Sequence, residues 1–231
     1  MTGRTVLPLA DDGEAADLAA FLARLIHYDR AASVRLQASG TALAVFGRPP
    51  SFEVLAVRSV RLAKPYENGL EDRLDVTVSA GELLECVDER AATAAVPAAV
   101  TGPAWAGILP PRGGWRPEPG LPAPDALRAT VGAAVAEFRA RTQELAPERR
   151  TRAELDRIGR EIWSRTVADT GLPVRALHAA QSLGFLRPAP RSPGVEPLGL
   201  FSSGAWLRLR MPYGSVAVRR AGLGALDVSV R

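Results

Sequence analysis

The sequence predicts an α+β protein in which two small units of helices and antiparallel strands are joined by a connection rich in proline and glycine. Three observations lead to this prediction. Apolar residues recur at helical spacing in several segments, and shorter segments alternate at strand spacing between turn residues. A long stretch dominated by Pro, Gly and Ala lies between them. The predicted boundaries are 1–90 for the first unit, 91–124 for the connection and 125–231 for the second unit.

The first unit is predicted to begin with a helix over residues 13–28, capped by Asp11 or Asp12, since either carboxylate can accept from a free amide of the first turn. Four strands follow, with predicted ranges 33–37, 41–46, 52–62 and 74–78. Ser79 and Glu82 have the spacing of a capping box, in which serine and glutamate satisfy each other's backbone amides. A short helix is therefore expected after Ser79.

The second unit is predicted to hold three helices and then three strands. The helices cover 126–145 with Asp125 as its cap, a segment after the Thr151 capping box, and a segment from Pro173 that ends before Gly184. The strands cover 198–201, 205–210 and 215–219. The sequence around Ser39-Gly40 is echoed around Ser203-Gly204, and both an ancient duplication and chance remain open as its source.

The connection carries two tryptophans, Trp105 and Trp115, on either side of an Ile-Leu-Pro-Pro run. Disordered linkers are normally poor in aromatic residues, so this one is expected to dock on a folded surface. Two interpretations remain open. The tryptophans either pack on the protein's own core or belong to a strap that binds a partner.

The composition excludes several classes of site. Of 231 residues, 47% are hydrophobic and 23% charged, which is typical of a globular protein. The chain has one cysteine, Cys86, and two histidines, so we expect no disulfide framework, metal site or cofactor, and a reducing, cytoplasmic location. Residues 1–14 lack the apolar core of a secretory signal, and prolines interrupt the longest uncharged run, 91–111, so neither a signal nor a membrane span is expected.

Charge is distributed unevenly between the two halves. Residues 1–100 carry 10 basic and 14 acidic side chains, whereas residues 101–231 carry 19 basic and 11 acidic ones. Between residues 170 and 226 the one acidic residue is Glu196. The basic half therefore either faces an anionic partner or docks on the acidic half of the same molecule.

Residues 168–187 read ADTGLPVRALHAAQSLGFLR. This segment resembles the turn and recognition helix of bacterial winged-helix regulators, although an ordinary helical hairpin would give the same pattern. The resemblance implies that the second helix enters the major groove of DNA and that the strand pair of the tail forms the wing. One face of this helix would expose four polar residues, Arg175, His178, Gln181 and Ser182.

In the tail, Leu207 and Leu209 are expected to point inward and Trp206 outward, with arginines beside the tryptophan. Arginines interleaved with an aromatic ring suit contacts with phosphates or bases. The candidate phosphate-contacting residues are Arg208, Arg210, Arg219 and Arg220.

Most of the chain is also similar to a family of uncharacterised proteins from high-GC bacteria. The similarity is carried by four stretches: VFGRPPSF from residue 45, GILPPR from 107, EIWSR from 161 and PYGSVAV from 212. It implies a single two-part architecture and no particular activity.

No catalytic motif with usable spacing occurs in the sequence, so we predict a non-enzymatic binding or regulatory protein. A protein partner or self-association is expected, with Trp105, Trp115 and Trp206 as contact candidates. A membrane partner is not expected, and no small-molecule ligand is evident. A winged-helix-like DNA-binding regulator and an enzyme of unknown class remain as alternatives.

Overall fold

A computed structural model describes residues 5–66, 74–188 and 198–220. Within these ranges the chain forms five α-helices and ten strands. In chain order they are β1 (Val6–Pro8), α1 (Asp12–Tyr28), β2 (Ser33–Gly47), β3 (Leu55–Tyr66), β4 (Asp75–Ser79), α2 (Ala80–Glu85), β5 (Val87–Asp88), β6 (Thr93–Ala95), β7 (Arg116–Glu118), α3 (Pro124–Gln143), α4 (Arg152–Trp163), α5 (Val174–Ser182), β8 (Gly199–Ser203), β9 (Trp206–Met211) and β10 (Gly214–Arg219).

The strands form two antiparallel sheets, which confirms the α+β class. One sheet has three strands in the order β1-β6-β5, and the other has seven in the order β4-β2-β3-β10-β9-β8-β7. The large sheet is continuous across the two halves of the chain because β3 pairs with β10, with Val57 opposite Ser215 and Leu55 opposite Ala217. The halves are therefore joined by backbone hydrogen bonds as well as by side-chain packing.

The α-helices cover one face of this sheet. Their apolar residues join one continuous core with inward-facing strand residues, and Phe21 of α1 stacks on Phe185 after α5 at 5.6 Å between ring centroids. The opposite face carries a second, smaller apolar cluster, formed by Phe46, Leu55 and Val57 with Ala217. No described α-helix packs on that side, which we call the open face.

Two predicted strands are in fact one. Residues 33–37 pair with β4 and residues 42–47 pair with β3, so the segment continues through Ser39-Gly40 as a single long strand. The register shifts between Gly40 and Ala42, and Gly40 has the left-handed φ of 56° that glycine adopts at low cost. At the echoed position Gly204, with φ 53°, turns a β8–β9 hairpin. Duplication stays a hypothesis.

The predicted N-cap residues are confirmed at three helices and wrong at one. Asp11, Ser79 and Thr151 each accept a hydrogen bond from the backbone amide three residues later. The predicted Asp125 cap is wrong because α3 already begins at Pro124, and the Asp125 carboxylate instead contacts Arg128.

Part of the predicted connection adopts regular structure. It contributes β6 to the small sheet and β7 to the edge of the large sheet, and these strands are three residues long. Such short strands give no detectable alternation in the sequence. Within the described residues, no helix is both long and apolar enough to span a membrane.

Candidate binding surface on the open sheet face

The side chains of β9 alternate between the buried face and the open face of the sheet. Leu207 and Leu209 are fully buried beneath the helices, whereas Trp206, Arg208 and Arg210 are only partly buried and lie on the other side. This is the alternation that the sequence predicts for the tail. The open face therefore presents arginine and tryptophan side by side.

Guanidinium groups lie over aromatic rings at three places on the open face. The Arg210 Cζ is 4.5 Å from the Phe201 ring centroid, the Arg219 Cζ is 5.7 Å from Trp206, and the Arg208 Cζ is 5.8 Å from Trp115. Each separation is within the range of cation–π attraction. We call the part formed by Phe201, Trp206, Arg210 and Arg219 the arginine–aromatic surface.

Residues 100–115, which we call the strap, cross the remainder of the open face. The Val100 amide donates to the Thr77 carbonyl at 2.9 Å, and the Trp105 and Leu109 side chains pack on the small apolar cluster. The Trp115 indole Nε1 donates to the Pro111 carbonyl at 3.0 Å. Trp105 thus contacts the protein's own sheet, and both Trp105 and Trp115 stay partly exposed.

Arg35 of β2 anchors the strap. Its Nε and Nη2 donate to the two carboxylate oxygens of Asp75 at 2.7 and 2.8 Å, and its Nη1 donates to the Ala106 carbonyl. The hydrogen bond from Arg35 lowers the pKa of Asp75, and the nearby charge of Arg112 acts in the same direction. The Asp75 carboxylate likewise raises the pKa of Arg35.

A cleft of about 470 Å³ opens between the strap and the sheet. Arg35, Arg112 and Arg208 reach it from three separate segments of the chain. Its floor is mixed and includes the apolar Phe46 and Val57 as well as the polar Gln37 and Ser59. Arg35, Arg112 and Asp75 carry no local pattern in the sequence, because only the fold brings them together.

The predicted recognition helix α5 lies inside the helical layer. Five of its residues are buried: Val174, Ala176, Leu177, Ala179 and Ala180. Its four-residue polar face is not exposed as predicted: Gln181 is the exposed member, whereas Arg175, His178 and Ser182 are partly buried. The cause is that α3, α4, β10 and the turn at Pro50–Phe52 all pack against this nine-residue helix.

Two of the α5 polar side chains are held by neighbours. The Arg175 Nε is 3.7 Å from a Glu53 carboxylate oxygen. His178 stacks on Trp163 at 4.5 Å and meets Phe52 edge-on at 5.1 Å. Burial among these groups lowers the pKa of His178, because it disfavours the charged imidazolium.

The strand pair expected to form a wing is instead in the interior of the large sheet. Strand β10 pairs with β3 on one side and β9 on the other, and β9 pairs onward with β8. Arg219 and Arg220 are exposed at the end of β10, where Arg220 contacts the Glu118 carboxylate of β7. DNA binding by the arginines and the winged-helix resemblance both remain predictions.

Acidic residues of the first half do approach basic residues of the second half. Besides Glu53 near Arg175, the Asp17 carboxylate contacts Arg187. Both contacts lie on the helical side, away from the cleft. Within the described ranges no group of three or more His, Cys, Asp or Glu side chains is placed to hold a metal ion.

Comparison with protein families divides the chain at the strap. Residues 2–107 match a domain of unknown function, DUF8010, and residues 110–223 match a second domain of unknown function, DUF8185. No curated protein matches the chain significantly. The large sheet takes β2, β3 and β4 from the first matched region and β7 to β10 from the second, so the two regions fold into one shared sheet.

Proposed function

We propose that this is a non-enzymatic binding protein that docks another macromolecule, in the first place a protein, on its arginine–aromatic surface. The observation that carries the proposal is the repeated pairing of guanidinium groups with rings on a sheet face that no described α-helix covers. Tryptophan and arginine are the residues most enriched among the energetic centres of protein interfaces.

The charge of the surface defines the kind of partner. Arg210 and Arg219 lie in the stretch of chain from residue 170 to 226, in which the sequence has one acidic residue. A partner with an acidic patch would be attracted to it, and this attraction would weaken as salt increases. The ring faces of Phe201 and Trp206 would supply the apolar contact.

A comparison of captured proteins tests this proposal. The full chain, an Arg210→Ala plus Arg219→Ala variant and an Arg139→Ala control are immobilised and exposed to extracts of the native cell. Arg139 is an exposed arginine on α3, on the helical side of the sheet. A specific partner is expected to be retained by the wild type and by the control and lost with the double variant.

The captured partner is then purified and titrated directly. Substituting alanine for a side chain at the energetic centre of an interface lowers the binding free energy by about 2 kcal/mol or more. Trp206→Ala is therefore expected to raise the Kd of the partner about thirtyfold. Retention of every captured protein by the double variant would overturn the proposed surface. Self-association is measured separately, by sedimentation of the wild type and the Trp206→Ala variant.

Nucleic acid is the second candidate partner, and the same surface favours it. Bases stack on aromatic side chains while arginines contact phosphates, and this recognition does not need a helix in the major groove. Single-stranded nucleic acid therefore fits these partly exposed rings better than duplex DNA does.

Anisotropy titrations with labelled single-stranded and duplex oligonucleotides test this candidate. If six phosphates are contacted, affinity is expected to fall between about 50 and 200 mM salt by roughly three hundredfold for a single strand and by more than about a thousandfold for a duplex. Arg210→Ala is expected to weaken binding to all sequences alike, because a phosphate contact carries no sequence information. No anisotropy change at micromolar protein and low salt would remove nucleic acid as a partner.

A further inference from the structure

The cleft between the strap and the sheet has the size and lining of a ligand site. Its volume of about 470 Å³ lies within the range of pockets that bind small molecules, about 300 to 1,000 Å³. It is bounded by the sheet below and by residues 107–112 of the strap above. One side is open to solvent, so a ligand can enter without displacing the strap.

The lining is positively charged. Three arginines, Arg35, Arg112 and Arg208, reach the cleft, and its described lining includes no carboxylate. The Asp75 carboxylate, which contacts Arg35, is engaged through both of its oxygens by that arginine. An entering anion would therefore be attracted by three guanidinium groups.

The floor of the cleft carries an apolar patch. Ala44, Phe46 and Val57 form this patch beside the polar Gln37 and Ser59, and Leu109 and Pro110 lie on the strap side. The apolar patch lowers the local dielectric, which strengthens the attraction between a guanidinium and an anion. The combination favours a ligand with an apolar body over inorganic phosphate.

Fixed geometry supports the same conclusion. The Arg208 Nε donates to the buried Ser215 hydroxyl at 2.9 Å, and Arg35 is held by Asp75 and the Ala106 carbonyl. These two arginines are thus preorganised, which reduces the entropy that binding must remove. Small residues on β10, Ser215 and Ala217, leave room for Arg208 to reach across that strand.

From these observations we propose that the cleft binds a small organic anion, with an apolar body on the sheet and a carboxylate or phosphate head group at Arg112 and Arg208. This goes beyond the macromolecular surface proposed above, because the cleft lies under the strap and the arginine–aromatic surface lies beside it. The sequence alone shows no such site, because its lining comes from distant segments of the chain.

A series of ligands with one apolar body and different head groups tests the proposal. Octanoate, octyl phosphate and octanol are titrated into the full chain by calorimetry. One of the two anions is expected to bind with a stoichiometry of one and at least about tenfold more tightly than octanol, since a charge-assisted hydrogen bond supplies that difference. The tighter of the two anions identifies the head group.

Variants locate the binding site. Arg112→Ala and Arg208→Gln are each expected to raise the Kd of the preferred anion at least about tenfold. Both are expected to leave the weak binding of octanol unchanged. Ala44→Leu adds side-chain volume to the floor of the cleft and is expected to weaken the binding of both the anion and octanol. Arg139→Ala removes an equal charge on the helical side and is expected to change nothing.

Thermal melting of each variant shows that the fold is intact, and Arg112 serves as the main probe because it is an exposed strap residue. Arg210→Ala plus Arg219→Ala is expected to leave anion binding unchanged, which separates this site from the macromolecular surface. The proposal is overturned if octanol binds as tightly as both anions, if neither anion saturates the protein below about 1 mM, or if Arg139→Ala weakens binding as much as Arg112→Ala.

Discussion

Helix α5 and strand β9 both carry polar residues at regular spacing in the basic half of the chain, yet the fold uses them in opposite ways. On α5, neighbouring elements surround the helix, and Arg175 and His178 are held by Glu53, Trp163 and Phe52. On β9 the polar residues lie on a face that no described α-helix covers. A polar pattern identifies a face, but the surrounding elements decide whether that face reaches solvent.

The sharpest test of the comparison changes adjacent residues of α5. Ala180 is fully buried and Gln181 is exposed. Ala180→Asp places an unpaired carboxylate in the core and is expected to lower the free energy of unfolding by about 3–5 kcal/mol. Gln181→Asp is expected to lower it by less than about 1 kcal/mol.

Urea denaturation measures both changes. Equal and small losses for the two variants would mean that Ala180 is not buried and that α5 does not pack into the helical layer. That result would remove the distinction between α5 and β9.

A second test compares two arginines of β3 that contact the same carboxylate. The Arg58 side chain is 5% exposed and contacts Glu14 at 2.7 Å, whereas Arg61 is 69% exposed and contacts Glu14 at 2.8 Å. Arg58 also donates to the Tyr213 carbonyl, which joins the two halves of the chain.

Arg58→Ala is expected to cost about 3 kcal/mol of stability, because it leaves Glu14 and the Tyr213 carbonyl without a buried partner. Arg61→Ala is expected to cost less than about 1 kcal/mol, since solvent screens an exposed pair. Calorimetric unfolding of both variants measures the two losses of stability. A larger loss for Arg61→Ala would show that burial does not determine the strength of these ion pairs.

These contrasts show what could be predicted from the sequence. Features that depend on neighbours within a few residues were predicted correctly. They are the Ser79 and Thr151 caps, the positions of the main helices and the inward and outward residues of β9. Contacts between distant segments could not be predicted. The β3–β10 pairing brings together residues about 160 positions apart, and no local pattern encodes it.

The candidate sites divide in the same way. Trp206 and Arg210 were identified because they share one strand and one face. Arg35 and Arg112 were missed because strap and sheet meet only in the folded chain. The exposed recognition face expected for α5 was wrong because the elements that pack against it cannot be inferred from its own sequence.

The pH dependence of stability gives a third, smaller test of how far α5 is buried. The folded-state pKa of His178 is lowered by burial, so the unfolded chain takes up a proton before the folded chain does. The contribution of the neutral His178 to the free energy of unfolding is therefore fully present above about pH 6.5, the pKa of an unfolded histidine. This contribution is lost as the pH falls from there through the folded-state pKa.

Urea midpoints between about pH 7.5 and 5.5 measure this effect, in a range where carboxylates contribute little. His178→Phe keeps the contacts with Trp163 and Phe52 and removes the titrating group, so its stability is expected to depend less on pH than that of the wild type. An unchanged pH slope in the variant would indicate that another group is responsible.

The smallest effect is expected on the open face, at Arg219. Its side chain is exposed, and its described contact with the Trp206 ring spans 5.7 Å. An exposed cation–π pair contributes about 0.5–1 kcal/mol, so Arg219→Ala is expected to change the free energy of unfolding by less than about 1 kcal/mol. A double-mutant cycle with Trp206→Ala measures the interaction energy of the Arg219–Trp206 pair.

A coupling energy above about 2 kcal/mol would mean that folding depends on this pair. A coupling near zero, combined with a large loss of partner binding, is the result that assigns the open face to recognition.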